Sequence, residues 1–318
     1  MSRMSEGPTT ETEPSAGWLD AKERGGVFAI RFTVFLTTLF GRRFMRFIAR
    51  FVTGYYTLTS PTARRAIGEY HLRMHGRRAS RSDVYRHMLR FVRCTLDAFF
   101  FVSGKDDDIE VNRTGSHHLA ALRDDKRGAV LLGAHLGSFY AMRTQSTNER
   151  IPIYALMYTA NARMLNEALA QLDPEGAARV LPLETDGGMT TMLRCRELID
   201  EGALLAIMGD RVPKNAAEDR IVWVPFLGKK APFSTGPFLL ASMLKAPVYL
   251  TFGVHQDPDA YELNCEPFAD RIVLPRGKRQ EALEEYVRQY AGRLEHYARS
   301  APDNWFNFYD FWAAPKTR

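Results

Sequence analysis

Apolar positions recur with a helical period through the first third of the chain and in short runs through the rest. Phe44, Phe47, Ile48, Phe51, Val52 and Tyr55 are spaced as one face of a helix, and Arg43, Arg46 and Arg50 fall on the other face. Two more helices are predicted over Ala63–Met74 and Asp83–Val102, the second closed by Gly104. Upstream, the run from Gly26 to Phe40 is apolar for about 15 residues and interrupted by Arg31, short of the roughly 20 that a membrane-spanning helix needs. A buried core helix and an interfacial helix both fit it. The polar residues before it hold no apolar stretch flanked by basic residues; they read as a disordered lead-in without a secretory signal.

After Asp106, Asp107 and Asp108 the pattern changes to short β runs alternating with helices. Strands are predicted over Gly128–Gly133, Pro152–Tyr158, Arg179–Leu183, Ala203–Met208, Ile221–Val224, Val248–Gly253 and Tyr261–Pro267. Between and after them, helices are predicted over Ser138–Thr144, Ala162–Gln171, Gly188–Asp200, Gly236–Leu244 and Arg279–Arg299. Such alternation implies an α/β fold with a mostly parallel central sheet flanked by helices. The expected organisation is a lead-in over 1–24, a basic amphipathic helical module over 25–104 and an α/β domain over 105–318.

Composition is ordinary for a globular chain of 318 residues, 45% apolar and 25% charged. Charge adds more. The net +6 hides a segment from Arg24 to Arg93 with fifteen arginines, no lysine and only Glu69 and Asp83 against them, while the remainder is mildly acidic. An aromatic stripe backed by guanidinium groups suits the headgroup region of a membrane, each cation contributing about 1 kcal/mol against anionic lipid. A core-packed helix with a solvated basic face suits the same pattern. Nucleic-acid binding is disfavoured, because the arginines alternate with a continuous phenylalanine stripe and not with isolated stacking platforms. Cys94, Cys195 and Cys265 lack CxxC or Cys/His spacing, so neither a disulfide framework nor a metal centre is expected.

Ligands of open α/β sheets collect at the carboxyl ends of strands. His135 stands there, in Ala134-His-Leu-Gly-Ser138 between a buried strand and a helix, where glycines allow close approach and helix amides can favour an oxyanion. The other seven histidines, including the adjacent pair His117 and His118, read as structural or surface residues. Asp210 and Arg211 follow another strand, placed to orient a base and hold a phosphate, or equally to form a strand-terminal ion pair. Ser234 or Thr235 would cap the helix opening at Gly236, and capping alone accounts for them. No Walker loop, GxGxxG or GxSxG motif is present.

Four blocks in order, Leu132-Gly-Ala-His-Leu-Gly-Ser-Phe-Tyr140, Met208-Gly-Asp-Arg-Val212, Val224-Pro-Phe-Leu-Gly228 with Phe233-Ser-Thr-Gly-Pro-Phe238, and Asn304-Trp-Phe-Asn-Phe-Tyr-Asp310, resemble the bacterial lysophospholipid acyltransferase superfamily. The nearest branch is that of the lipid A secondary acyltransferases and the predicted acyltransferases of aryl polyene clusters. The resemblance implies transfer of an acyl group from an acyl carrier protein or coenzyme A thioester to a hydroxyl or amine of a membrane lipid. It places the work at the cytoplasmic face of the bacterial inner membrane, with peripheral or monotopic attachment and no metal or other cofactor. His135 takes the position of the family's general base. The substrate-contacting set is Gly137, Ser138, Arg143, Asp210, Arg211, Thr235 and Gly236, and the membrane-contacting set is Arg43, Arg46, Phe47, Arg50 and Phe51.

The sequence departs from the family at one point. The acid that normally follows the histidine by five positions is Tyr140. A phenol can orient the imidazole but supplies no compensating charge. Three expectations follow: Tyr140 supports a slower or different transfer, an acid from elsewhere such as Asp210 replaces it, or the protein binds acyl or lipid chains without turnover. Thioester hydrolysis with water as acceptor would use the same site.

Overall fold

A computed structural model describes residues 27–143, 151–157, 170–183, 189–213 and 216–313, with side chains from residue 39 onward. The lead-in and most of the helix predicted over Ala162–Gln171 lie outside the described residues. Three helices open the chain: α1 (Val27–Thr59), α2 (Pro61–His75) and α3 (Arg81–Ser103). Gly41 interrupts α1 with φ 73° and ψ 178°, dividing it into two helical pieces. Ser80 and Asp83 form a reciprocal capping box at the start of α3, and Gly104 ends it in the left-handed conformation that glycine adopts without strain. No helix among the described residues is long and apolar enough to cross a membrane.

Beyond these helices the elements are β1 (Glu110–Thr114), α4 (Ser116–Asp124), β2 (Ala129–Gly133), β3 (Ile153–Met157), α5 (Pro174–Ala178), β4 (Val180–Pro182), α6 (Met189–Asp200) and β5 (Leu204–Met208). The chain continues through β6 (Ile221–Phe226), β7 (Lys229–Ser234), α7 (Gly236–Leu244), β8 (Val248–Gln256), β9 (Ala260–Ala269) and α8 (Arg279–Ser300). Among the described residues, seven strands form one sheet in the order β1-β9-β8-β2-β5-β3-β4, parallel at every pairing except the β8–β9 hairpin. This is the α/β architecture that the alternation implied. The central strand β2 is buried along its whole length, as expected where helices cover both faces.

One strand belongs elsewhere. Among the described residues, Ile221–Phe226 pairs only with β7, antiparallel, as a separate two-stranded ribbon. Its turn is Leu227-Gly228, both at positive φ, so the Phe-Leu-Gly-Lys-Lys run is a tight hairpin turn. The ribbon packs its alternate residues Val222, Val224 and Phe226 into the main core against α8.

The helical module meets the α/β layer through α1 and α3. Its inner seam is not the aromatic stripe. Met45, Ala49 and Thr53 are buried, and so is Arg42, whose guanidinium makes a bidentate pair with the buried Asp97 of α3 at 2.7 and 2.9 Å. The Tyr261 hydroxyl of β9 donates to the same carboxylate at 3.0 Å. Desolvating such a pair offsets much of its attraction, but losing one partner strands a buried charge at a cost of about 3–5 kcal/mol.

Candidate active site

The register of β2 with β5 brings the chemistry together. Gly133 and Met208 are the paired last residues of these neighbouring strands, and His135 and Asp210 each lie two residues beyond. The Gly209 amide donates to the Gly133 carbonyl at 2.9 Å, holding the two strand-end loops side by side. His135 Nδ1 lies 2.8 Å from Asp210 Oδ1, while the His135 backbone amide donates to Asp210 Oδ2 at 3.0 Å. The Trp305 indole N–H donates to that second oxygen, also at 3.0 Å. Asp210 is 1% exposed and therefore fully engaged within the protein, whereas the His135 side chain is 33% exposed.

These contacts set the protonation state. Burial pushes the Asp210 carboxyl up, but His135, Arg211 and the hydrogen bonds outweigh it and hold the group at about 2. Burial, then the Arg211 charge, lowers His135 below the ordinary imidazole value against the opposing pull of Asp210. At neutral pH the pair is thus a neutral imidazole beside a carboxylate. Since a carboxylate only accepts, Nδ1 carries the proton and donates, leaving the Nε2 lone pair available. Nε2 has no hydrogen-bond partner among the described residues.

The loop after His135 is fixed by backbone bonds. Gly137 sits at φ 71°, donates to the Asn304 carbonyl at 2.8 Å, and lies so close to the Gly253 carbonyl that a Cβ would collide with it. The Ser138 amide donates to Gly253 at 2.7 Å, and its hydroxyl caps the following helical turn by accepting from the Ala141 amide at 3.1 Å. The amides of residues 135, 137 and 138 are therefore committed to protein acceptors. That removes three donors from the oxyanion role expected of this turn.

A cavity of about 300 Å³ opens beside the imidazole, lined by His135, Gly137, Ser138, Tyr140, Arg143 and Arg211 at its polar part. Its remaining wall is mostly apolar and comes from α3, α4, β2, β3 and β5, with Ala98, Leu131, Ile153, Ala155 and Ala206 among its residues. Arg211 donates to the Phe306 carbonyl at 2.9 Å, and Arg143 pairs with Asp173.

The structure distributes the expected site residues as follows. Tyr140 lines the cavity but makes no hydrogen bond to His135 among the described residues; the orienting contact at Nδ1 belongs to Asp210, because the β2–β5 register delivers a carboxylate there. Thr235 and Gly236 do not line the cavity. Thr235 Oγ1 donates to the Arg220 carbonyl at 3.2 Å, and the Gly236 amide donates to Ser234 Oγ at 3.2 Å, so both close the ribbon-to-α7 junction. Arg46 faces inward to Asp259 and the Pro258 carbonyl at the β8–β9 turn, leaving the outer face to its neighbours. Arg43 and Arg50 are exposed with no ion-pair partner among the described residues, and Phe47 and Phe51 are exposed by 49% and 64%.

Trp305 was legible only as part of an aromatic block without an assigned task. The structure gives it one, as the third donor on the Asp210 carboxylate, packed edge-on or tilted among Tyr70, Phe226 and Phe311. Residues 26–313 match the family model described as bacterial lipid A biosynthesis acyltransferase. No curated protein matches the chain.

Proposed function

The chain belongs to the bacterial lipid A biosynthesis acyltransferase family, and from that premise we propose a transferase with His135 as general base and Asp210 as its acid partner. The acyl group would come from an acyl carrier protein or coenzyme A thioester and pass to a hydroxyl or amine of a membrane lipid. Its carrying observation is the 2.8 Å contact between His135 Nδ1 and Asp210 Oδ1, on an imidazole that lines a largely apolar cavity.

The acceptor's proton passes to Nε2 as its oxygen or nitrogen attacks the thioester carbonyl. Asp210 holds the ring in the Nδ1–H tautomer and stabilises the imidazolium that forms. Arg211, on the cavity wall, offers positive charge to the developing oxyanion. Collapse breaks the carbon–sulfur bond, and the imidazolium returns its proton to the departing thiolate. The apolar part of the cavity receives the acyl chain.

Attachment to the cytoplasmic face of the inner membrane is part of the same reading. Phe40, Phe44, Phe47, Phe51, Tyr55 and Leu58 are all exposed along the outer side of α1, a continuous apolar stripe with Arg43 and Arg50 beside it. Such a stripe suits a helix lying in the headgroup layer.

The rival reading, a non-catalytic acyl- or lipid-binding protein, rests on the missing acid at position 140. Asp210 on the imidazole favours turnover. Incubating the purified full chain with an acyl carrier thioester and a membrane lipid extract tests the proposal: acylated lipid is expected from the parent and none above background from His135→Ala. Equal transfer by both proteins overturns the assignment, and free fatty acid alone would mean hydrolysis.

A further inference from the structure

Away from the cavity, three side chains from three separate elements converge between the helical module and the segment that carries Trp305. His71 comes from α2, His87 from α3, and Asp303 from the 3₁₀ turn Pro302–Asn304. His71 Nε2 lies 3.6 Å from Asp303 Oδ1, and one ligand atom from each of the three falls within 4.8 Å of the others. Both histidines are 1% exposed.

Their nitrogens are in an unusual state for a protein interior. Neither ring nitrogen of His71, nor Nδ1 of His87, has a hydrogen-bond partner among the described residues. Buried polar atoms are nearly always paired, so three orphans in one cluster require either ordered water or an ion to serve them. The His87 tautomer is also determined. Its Nε2 lies 3.0 Å from the Trp305 carbonyl, which only accepts, so Nε2 carries the proton and Nδ1 the lone pair. An imidazole tied by one N–H to a backbone carbonyl, with the other nitrogen free, is the usual preparation of a metal-bound histidine.

We propose that His71, His87 and Asp303 bind a divalent transition-metal ion of the zinc type. Two neutral imidazoles and one carboxylate match the nitrogen and oxygen donors that zinc takes at about 2.0–2.2 Å, with water completing a tetrahedral set. Contraction to bonding distance falls mainly on Asp303, which is partly exposed and whose other ion-pair contact, with Arg86, is 3.4 Å long. Arg86 makes its shorter contact, 2.7 Å, with Asp83, which also pairs with Arg77, so these cations are already balanced by a carboxylate. No spacing motif announces the site, because each ligand sits on a different element.

An ion there would tie α2 and α3 to the turn preceding Trp305, the residue whose indole holds Asp210. The site is thus a staple behind the His135–Asp210 pair and not a reaction centre.

The full chain, stripped with chelator and titrated with Co(II), is expected to show the visible d–d bands of tetrahedral coordination at one equivalent. Zinc should displace them and raise Tm by about 5 °C at a hundredfold excess over Kd. Asp303→Asn, at the most exposed ligand, and His71→Gln should each weaken binding at least tenfold. His117→Gln, at the surface pair His117–His118, should leave it unchanged. Absence of cobalt bands in the parent protein overturns the site, as does equal binding by the parent and Asp303→Asn, or loss of binding in His117→Gln. None of these readouts requires acyl transfer, so they stand whether or not His135 is a base.

Discussion

Asp210 lies 75 positions beyond His135 in the chain, yet its carboxylate contacts both the imidazole Nδ1 and the backbone amide of that residue. In the proposed transfer, an acid supplied from the neighbouring strand takes the place of one that would otherwise follow His135 by five positions. Asp210→Asn is therefore expected to lower kcat by roughly 10³–10⁴, the scale seen when the orienting acid of a histidine base is neutralised. Tyr140→Phe should stay within about threefold of the parent, and Tyr140→Glu should bring no gain, because Nδ1 is already taken. Initial rates of acyl transfer by the three variants check the assignment. Loss of rate in Tyr140→Phe matching that in Asp210→Asn would return the orienting role to the phenol.

The pH dependence has a defined sign. As the proposed base, His135 would work only when neutral, and burial with Arg211 lowers its pKa below the ordinary value of about 6.5. The acid limb of kcat/KM should therefore have its midpoint below 6.5. Arg211→Gln, removing a cation that opposes protonation, should move that limb upward, while Asp210→Asn should move it downward. A pH–rate profile for each protein measures the displacement.

Folding stability should begin to fall on the acid side of neutrality. His255 is buried against Arg90 and driven to about 3, first by burial and then by that cation. Its unfolded form binds a proton below about 6.5 and its folded form does not, so it costs about 1.4 kcal/mol per pH unit between those values. Asp210 acts lower: its depressed pKa contributes stability above about 3.9 that disappears as pH falls through about 2. Urea unfolding from pH 6.5 to 4.5 should show the first slope, and His255→Gln should reduce it by about one proton. An unchanged slope in that variant would remove His255 from the account.

The proposed membrane attachment should be separable from folding, because the aromatic stripe makes no part of the core. Phe47→Asp with Phe51→Asp should reduce partitioning onto anionic phospholipid vesicles at least tenfold, since each phenylalanine buried in the interface is worth on the order of 1.5–3 kcal/mol. Tm should move by no more than about 2 °C. Vesicle sedimentation and thermal unfolding of the same preparation test both statements, and retained binding would show that another surface does the docking.

The inner side of the same helix predicts the opposite. Arg42→Ala leaves Asp97 charged and buried, and should cost about 3–5 kcal/mol by chemical denaturation. Arg42→Met with Asp97→Leu should restore much of that loss, because the pair then vanishes together.

The α/β class and most element boundaries were legible because their signals are local: period in the apolar residues, glycine at helix ends, and the unbroken apolar run of β2. His135 was legible for the same reason, standing just after such a strand. What was not legible depends on which strands become neighbours. Nothing within Leu204–Met208 announces that it inserts between β2 and β3, and only that order turns Asp210 from a strand-terminal acid into the partner of His135. The arginine count misled in a related way. Arg42, Arg46, Arg90 and Arg93 meet Asp97, Asp259 and Asp257, so part of the basic segment's charge joins the module to the α/β layer. The His71–His87–Asp303 cluster was invisible for want of any spacing between its members.

Asn304, Trp305 and Phe306 lace the site from behind: one binds the Gly137 and His255 amides, the next the Asp210 carboxylate, the third the His135 carbonyl. These residues leave the ribosome after every strand and helix they touch. Until they arrive, Asp210 lacks its indole donor and the loop of His135 lacks two of its backbone bonds. The hydrogen bonds around His135 and Asp210 are therefore complete only once residues 304–306 have been synthesised and packed, so the last turn of the fold closes a site laid down by strands far earlier in the chain.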